Sequence, residues 1–436
     1  MNRRAFIGSA VSTAACIGTP LSGLSPASAQ QTATLGLKIV PRDLQLSPEL
    51  PPTPIWALAS DQPDAALRYT RGDDLSVLVS NEASSPITLN WLGLDGSPTI
   101  EPLTGATTIP RGGQGKIVAQ LKQAGTFLID PRLLGDGAER PFSSAAVVVE
   151  GAKRSGTERD ELFLIEDWRI AATGKAISPG QSADGTTVAY TVNGLPPRDI
   201  SLQQNERLRL RIINGCARAP IGLKIENHDV RVMAIDSQPA EPFLARDRQL
   251  VLTPGGRIDV LIDATAAPGT ASAIVMHDGT GPRTVGRLVT TREPPQRPAP
   301  LPPAASLSVA HLPAQLDLKN AQRIDLQLDA KTPWIAPSNF NTSMPPVVQA
   351  KRGRVVVMAI TNPAATPVSF RLHGHHFRLL DRLDDGWKPF WLDTLMLDAR
   401  QTQRIAFLAE FAGQWLIESA AIGWSSPKLV RHYAVA

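Results

Sequence analysis

The run from Gly353 to Asn362 reads GRVVVMAITN, and two other segments of the chain repeat its layout. They are GDDLSVLVSN at 72–81 and NERLRLRIIN at 205–214. Each segment begins at a turn-forming residue followed by a charged one, continues through alternating or β-branched apolar residues, and ends at Asn nine positions later. This pattern predicts a β-strand in each of the three segments.

A second signal recurs downstream of each predicted strand. Gly125, Gly269 and Gly413 each open a short run with strand character, and the spacing between them is 144 residues, twice. Chance recurrence of turn and strand residues is the alternative, but two equal spacings argue against it. The sequence therefore predicts an all-β chain with three copies of one β-sandwich, each of roughly 110–150 residues, a size typical of Greek-key sandwiches.

Composition indicates where the domains end. Residues 293–303 read EPPQRPAPLPP, which is typical of a stiff, extended linker. A polar stretch at 151–160 follows the strand predicted at 145–150. We therefore expect a signal segment at 1–29, sandwich domains at 30–155, 156–292 and 311–436, and a linker at 293–310.

The first thirty residues are typical of an export signal. Arg3 and Arg4 precede a mildly apolar run, and Ala27-Ser28-Ala29 offers a small-x-small cleavage site. A membrane anchor is the alternative, but the run is too short and too rich in small residues to span a bilayer. We expect export by the twin-arginine pathway and a mature protein in the periplasm, without a transmembrane span.

The charge balance argues against nucleic-acid binding, and the cysteine content excludes disulfide bonds within the mature chain. Without the signal segment, which carries two of the 44 basic residues, 42 basic residues face 40 acidic ones. Such a balance argues against an electrostatic nucleic-acid binder. Because Cys16 leaves with the signal, Cys216 is the only cysteine of the mature chain, and no disulfide can form within it. The expected partner is another periplasmic protein, and the oligomeric state stays open.

Four segments resemble the copper-binding motifs of the multicopper oxidase family. They are TLNWLGL at 88–94, GTFLIDPR at 125–132, VSFRLHGHHF at 368–377 and GQWLIESA at 413–420. Framing segments at 166–168, 192–194, 254–261 and 386–388 are also similar, so that the resemblance covers almost all of residues 35–436. It implies three consecutive cupredoxin-like Greek-key β-sandwich domains. In that family, a mononuclear and a trinuclear copper centre together reduce dioxygen.

Carried over residue by residue, the resemblance leaves few copper ligands. In that family, a Cys thiolate, two His and a weak axial ligand hold the mononuclear copper, and eight His hold the trinuclear cluster. The mononuclear positions correspond to Val368, Ser419, Trp424 and Leu429. The cluster positions correspond to Asn90, Leu92, Asp130, Arg132, Arg371, His373, Glu418 and Ala420. We therefore expect degenerate copper positions, no catalytic residue and no cofactor, with bound copper as the lesser alternative.

The mapped positions and the histidines beside them predict a candidate metal site and a network of ion pairs. His373 and His375 would share a face of a strand, which makes them the candidate residual metal site. The alternative is that His375 and the neighbouring His376 are packing residues. Buried charges are costly unless they are paired, so Arg132 and Arg371 are expected to pair with Asp130 and Glu418 where the first and third domains meet.

The expected function is that of a non-catalytic periplasmic scaffold or interaction protein. The chain resembles the degenerate, copper-less branch of the family, the FtsP/SufI type, whose role in cell division under stress is implied by resemblance alone. The alternative is a copper-binding protein or a remnant oxidoreductase that uses the His373–His376 cluster. Three or more converging ligands would favour that alternative.

Overall fold

The structure is a computed structural model that describes residues 32–46, 51–61, 66–151, 157–307, 312–329, 333–381 and 386–436. The predicted signal at 1–29 lies outside the described residues. Within them, nearly all regular structure is β-strand, and the helices are short 3-10 turns at Pro98–Ile100, Arg132–Leu134, Arg246–Arg248 and Pro337–Asn339. None of these turns has the length and apolar character that crossing a lipid bilayer requires.

The first sandwich packs two sheets against each other. Its strands are β1 (Thr32–Leu44), β2 (Thr53–Ser60), β3 (Ala66–Thr70), β4 (Asp74–Asn81), β5 (Asn90–Leu92), β6 (Gln114–Gln120), β7 (Gly125–Asp130) and β8 (Ala145–Glu150). The sheet orders are β2-β1-β4-β6 and β3-β8-β7-β5. Leu75, Val77 and Val79 of β4 point into the core because alternate side chains of a strand share a face.

The second sandwich repeats this architecture. Its strands are β9 (Arg159–Ile170), β10 (Ala176–Ile177), β11 (Thr187–Val192), β12 (Arg198–Leu202), β13 (Arg207–Asn214), β14 (Ile221–Ile225), β15 (Arg231–Ile235), β16 (Gln238–Leu244), β17 (Gln249–Leu252), β18 (Arg257–Asp263), β19 (Ala271–His277) and β20 (Pro282–Thr290). One sheet has the order β10-β9-β13-β18-β15-β16, with β11 also paired to β9, and the other has the order β12-β20-β19-β14-β17.

The third sandwich follows a proline-rich connection. Its strands are β21 (Gln322–Gln327), β22 (Gln349–Ala350), β23 (Arg354–Thr361), β24 (Val368–Leu372), β25 (Arg378–Leu379), β26 (Thr394–Leu397), β27 (Thr402–Ala409), β28 (Gly413–Ala421) and β29 (Lys428–Val435). The sheet orders are β21-β23-β27-β25 and β22-β29-β28-β24-β26. The prediction of an all-β chain with three consecutive sandwiches is confirmed, whereas the predicted domain limits stay predictions.

The repeated Asn at the end of each predicted strand has the same role three times. Asn81, Asn214 and Asn362 are almost fully buried. In each, the side-chain amide donates to backbone carbonyls of the following loop and of a neighbouring segment, at 2.9–3.3 Å. The side-chain oxygen accepts the backbone N–H two residues later, at 2.9–3.0 Å. Such an Asx turn supplies hydrogen-bond partners for buried backbone N–H and C=O groups where each strand ends.

The proline-rich segment is held against the second sandwich. Asn205 donates to the backbone oxygen of Arg297 at 2.8 Å, and the Arg297 guanidinium contacts Glu158. Arg207 donates to the backbone oxygen of Leu301 at 3.0 Å. These contacts hold the connection between the second and third domains against the second domain at Arg297 and Leu301.

Candidate functional site

Half of the positions mapped to copper ligands line a cavity where the three sandwiches meet, namely Asp130, Arg132, Arg371, Glu418, Ser419 and Ala420. The cavity has room of about 40 Å³, which admits only a few water molecules. Its charged lining residues are Asp130 and Arg132 from the first sandwich, Arg218 from the second, and Arg371, Glu418 and Lys428 from the third. Cys216 and Gly255 also line it.

Strand pairing brings these side chains together. Asn90 at the start of β5 lies opposite Asp130 at the end of β7. Arg371 of β24 lies opposite Glu418 of β28. Because directly opposed residues on neighbouring strands face the same side of the sheet, each pair presents its polar groups to the domain boundary.

His373 forms a bridge between two domains. Its Nδ1 lies 2.9 Å from Oε1 of Glu101, in the first sandwich, and its Nε2 lies 2.7 Å from Oε1 of Glu418, in the third. Burial alone would lower the pKa of this imidazole, but Glu101 and Glu418 together raise it to about 9. At neutral pH His373 is therefore an imidazolium that donates a hydrogen bond from each ring nitrogen.

Glu418 contacts residues of both the first and the third sandwich. Nδ2 of Asn90 donates to it at 2.5 Å, and the ammonium of Lys428 and the guanidinium of Arg371 lie 3.4 and 3.7 Å away. Burial raises the pKa of this carboxyl, but Lys428, Arg371 and His373 outweigh burial and hold the pKa well below its usual range. Glu418 is therefore ionised.

Asp130 and Arg132 form the second pair of the predicted network. Nε of Arg132 lies 2.7 Å from Oδ1 of Asp130, and Nη1 donates to the backbone oxygen of Gly215 in the second sandwich at 2.6 Å. Burial would raise the pKa of Asp130, but Arg132 and Lys428 lower it to about 2. The predicted Arg132–Asp130 and Arg371–Glu418 pairs are thus present, each within one domain.

Arg371 extends the network to the second sandwich. Its Nη2 donates to the backbone oxygen of Pro254 at 2.9 Å. The neighbouring Gly255 has a φ of +77°, and a Cβ at this position would lie 1.9 Å from Nη2 of Arg371. Glycine is therefore required here both by its backbone conformation and by the space that the guanidinium occupies.

The remaining mapped positions carry uncharged side chains. Val368 lies in the core of the third sandwich, and Leu92 packs in an apolar cluster between the first and second sandwiches. Nε1 of Trp424 donates to the backbone oxygen of Ser178 at 3.0 Å. Ser419 and Leu429 are opposed on β28 and β29, and the backbone oxygen of Ala420 accepts a hydrogen bond from Ser369.

His375 occupies a different environment from His373. Its Nε2 accepts the backbone N–H of Phe411 at 3.1 Å, so Nδ1 carries the proton and donates to the Tyr433 hydroxyl at 2.7 Å. Burial lowers the pKa of His375 to about 4, which leaves the ring neutral. The shared face expected for His373 and His375 is wrong because β24 ends at Leu372 and Gly374 has a φ of +73°.

His376 forms a second junction, which joins all three domains. Its Nδ1 lies 2.5 Å from Asp95 of the first sandwich, and its Nε2 lies 2.6 Å from the backbone oxygen of Asp236 of the second. Burial opposes the charge, but Asp95 and Asp393 raise the pKa of His376 to about 9. Asp393 also pairs with the buried Arg257 at 2.5 Å.

Sequence reasoning missed several partners. Glu101, Asp95 and Asp136 lie in loops of the first sandwich, where no motif or spacing marks them. Asp136 binds Arg218 at 2.5 Å and accepts the backbone N–H of Lys428 at 2.7 Å. Of these partners, Lys428 alone could have been expected near the site, because it precedes Leu429, a mapped position.

Comparison with known proteins identifies the family. Models described as multicopper oxidase match residues 159–288 and 314–436, together more than half of the chain. The chain belongs to the multicopper oxidase family. Among curated relatives, Multicopper oxidase MmcO of Mycobacterium tuberculosis is 22% identical over 482 residues, 95% of this chain and 93% of that protein. Laccase-24 of Oryza sativa subsp. japonica is 26% identical over 258 residues, 50% of this chain and 41% of that one.

Solved structures of the family share the fold. The crystal structure of a multi-copper oxidase from Pseudomonas thermotolerans has a TM-score of 0.78 and 23% sequence identity, and the match covers 93% of this chain and 100% of that one. McoA of the hyperthermophile Aquifex aeolicus has a TM-score of 0.74 at 15% identity, over 93% and 98%. These likenesses confirm the cupredoxin-like fold class.

The family assignment corrects one expectation. The sequence led us to expect no cofactor, and this was wrong, because the matches are to multicopper oxidases, for which copper is the cofactor that membership implies. The residues mapped to the cluster do not themselves fit a copper ion. Both nitrogens of His373 are held by carboxylates, and no three His, Cys, Asp or Glu side chains in the described segments are arranged to hold a metal.

We expect His373→Gln to change how stability depends on pH. Because the folded-state pKa of His373 is raised to about 9, its contribution is fully present below the unfolded value and is lost as pH rises through about 9. Wild type should therefore exceed the variant by on the order of 3 kcal/mol near pH 6 and approach it near pH 10. Urea unfolding followed by tryptophan fluorescence measures the difference.

His277→Gln is the matched control, because His277 is exposed. Its difference from wild type should not vary across the same pH range. A wild-type advantage over His373→Gln that is constant from pH 6 to pH 10 would contradict a charged bridge.

Proposed function

We propose that this multicopper oxidase family member is a non-catalytic periplasmic interaction protein in which ion pairs have taken over the copper-ligand positions. One observation carries the proposal. His373 stands at a mapped cluster position and is charged at neutral pH. Both of its ring nitrogens donate hydrogen bonds to carboxylates, one in each of two domains. An imidazole ligand must be neutral and must offer a lone pair, so this side chain serves as a structural link.

The free cysteine supports the same proposal. Cys216 lines the cavity but is buried, and burial together with Asp167 raises the pKa of its thiol well above the usual value. A mononuclear copper site of this family requires a thiolate, which this environment disfavours. The residue at the mapped thiolate position is Ser419.

Exposed apolar side chains on edge strands of the second sandwich support a role in binding. Val251, Leu244 and Phe243 are 74%, 52% and 40% exposed. They lie on β16 and β17, which are the edge strands of their two sheets. Edge strands with large exposed apolar side chains are surfaces at which another protein chain can pair and pack.

Export and a division-related role complete the proposal. The twin arginine at residues 3–4 supports periplasmic export. The resemblance to the FtsP/SufI type makes the cell-division machinery the first set of periplasmic proteins to test as partners.

Dioxygen consumption tests the non-catalytic part of the proposal. With a phenolic reductant and added Cu(II), the protein should consume dioxygen no faster than free Cu(II) at the same concentration. His373→Gln should leave this rate unchanged, because His373 is not a ligand. Turnover that exceeds the free-copper rate and disappears in His373→Gln would establish the alternative, a remnant oxidoreductase.

Site-specific photo-crosslinking tests the interaction surface. A photoreactive residue in place of Val251, in the full chain expressed in cells, should form an adduct with another periplasmic protein. The same residue in place of Leu78, which is 49% exposed on β4, an interior strand of the first sandwich, should not.

The Arg3→Lys, Arg4→Lys double variant is the control for compartment. Twin-arginine export depends on this pair, so the variant should remain in the cytoplasm and lose the adduct. Equal adducts at positions 251 and 78, or an adduct that survives the double substitution, would contradict the proposed surface and its location.

A further inference from the structure

A second cavity, of about 230 Å³, lies between the second sandwich and the proline-rich connection. Pro300 and Ala304 line it from the connection, and the sheet that contains β13, β15, β16 and β18 lines it from the sandwich. Arg207, which also lines the cavity, donates to the backbone oxygen of Leu301 at 3.0 Å. This hydrogen bond holds the connection in place beside the cavity.

Strand register brings a charged pair of side chains next to two leucines. Arg231, at the start of β15, is paired with Leu244 of β16 on one side and with Leu261 of β18 on the other. Paired residues on neighbouring strands face the same side of a sheet. Asp229 stands two residues before Arg231, and Val230 between them is buried in the core. Asp229 and Arg231 therefore both project away from the core, and both line the cavity.

The other two charged lining residues pair with each other. Arg207 donates two hydrogen bonds to Asp263, at 2.6 and 2.8 Å. Glu158, the second carboxylate that acts on Arg207, is itself in contact with the guanidinium of Arg297. These two cations and two anions balance, so none of them needs a ligand.

Asp229 and Arg231 remain as one negative and one positive group. Neither side chain forms a hydrogen bond or an ion pair within the described segments of the chain. The ring of His228, beside Asp229, contacts the backbone oxygen of Glu226 instead. Asp229 is exposed and Arg231 is half-buried, so both can be reached from solvent. A ligand that carries one charge of each sign complements this pair.

The rest of the lining is mostly apolar and sets the size of the ligand. It includes Leu244, Leu261, Pro300 and Ala304. Leu244 is 52% exposed, and a ligand in the cavity would cover it. An apolar cavity of about 150 Å³ holds a benzene ring, so this cavity holds about nine non-hydrogen atoms.

We propose that this cavity binds a free α-amino acid with an aliphatic side chain. Its carboxylate pairs with Arg231, its ammonium pairs with Asp229, and its side chain packs against Leu244 and Leu261. Leucine has the number of non-hydrogen atoms that the volume accommodates. The site lies on the second sandwich, apart from the mapped copper positions, and it does not depend on the proposed function.

Isothermal titration calorimetry of the mature protein with L-leucine tests the proposal. Leucine should bind at a single saturable site. N-acetyl-leucine lacks the ammonium and represents the C-terminal residue of a peptide, whereas leucinamide lacks the carboxylate and represents the N-terminal residue. Each should bind at least about tenfold more weakly than leucine, because each leaves one of the two charged side chains without a partner.

Arg231→Gln should weaken leucine binding by about tenfold to a hundredfold, the range expected for a lost hydrogen bond between charged groups. Asp229→Asn provides a second test should Arg231→Gln fold poorly, because Asp229 is exposed and the change keeps its size. Arg246→Gln is the matched control. Arg246 is an exposed arginine two residues after Leu244, outside the lining, and its substitution should leave the affinity for leucine unchanged.

Four results would overturn the assignment. They are the absence of saturable leucine binding, an affinity for N-acetyl-leucine or leucinamide equal to that for leucine, unchanged binding in both Arg231→Gln and Asp229→Asn, and an equal loss in Arg246→Gln.

Discussion

His373 donates one hydrogen bond to Glu101 of the first sandwich and another to Glu418 of the third, and the junction of the domains depends on this buried charge. Removing one partner from a buried ion pair costs about 3–5 kcal/mol, because an uncompensated charge is left in a medium that solvates it poorly. Two of the positions that the resemblance maps to copper ligands, His373 and Glu418, therefore help to hold the domains together in this chain. Glu418 and Asp130 are ionised because cations surround them, not because water does.

The same principle acts at two other places along the boundary. His376 is charged and reaches Asp95 in one neighbouring domain and the backbone of Asp236 in the other. Asp136 of the first sandwich binds Arg218 of the second and the backbone of Lys428 in the third. Each link uses a group that is unsatisfied without its partner domain. Together they favour one relative placement of the three sandwiches, which an apolar interface alone specifies less strictly.

The sequence predicted the features that local periodicity controls. The strands that precede or include Asn81, Asn214 and Asn362 were found because each has a turn residue, a run of apolar or β-branched residues and a closing Asn within ten positions. The Arg132–Asp130 pair was predicted because both residues stand at positions that the resemblance maps to the copper cluster, where buried charges need partners. Glu101 was not, since it lies in a loop and meets His373 only through tertiary packing. The separation of His373 from His375 was missed because nothing in the pattern showed that β24 stops at Leu372.

The protonation state of His373 tests the central claim most directly. Nitrogen-15 NMR of the mature protein, labelled at histidine and assigned by comparison with His373→Gln, reports on each ring nitrogen separately. At about pH 7.5 both nitrogens of His373 should carry a proton, and deprotonation should occur near pH 9, well above the ordinary value for histidine. A spectrum at that pH in which one nitrogen of His373 is unprotonated would contradict the charged bridge between Glu101 and Glu418.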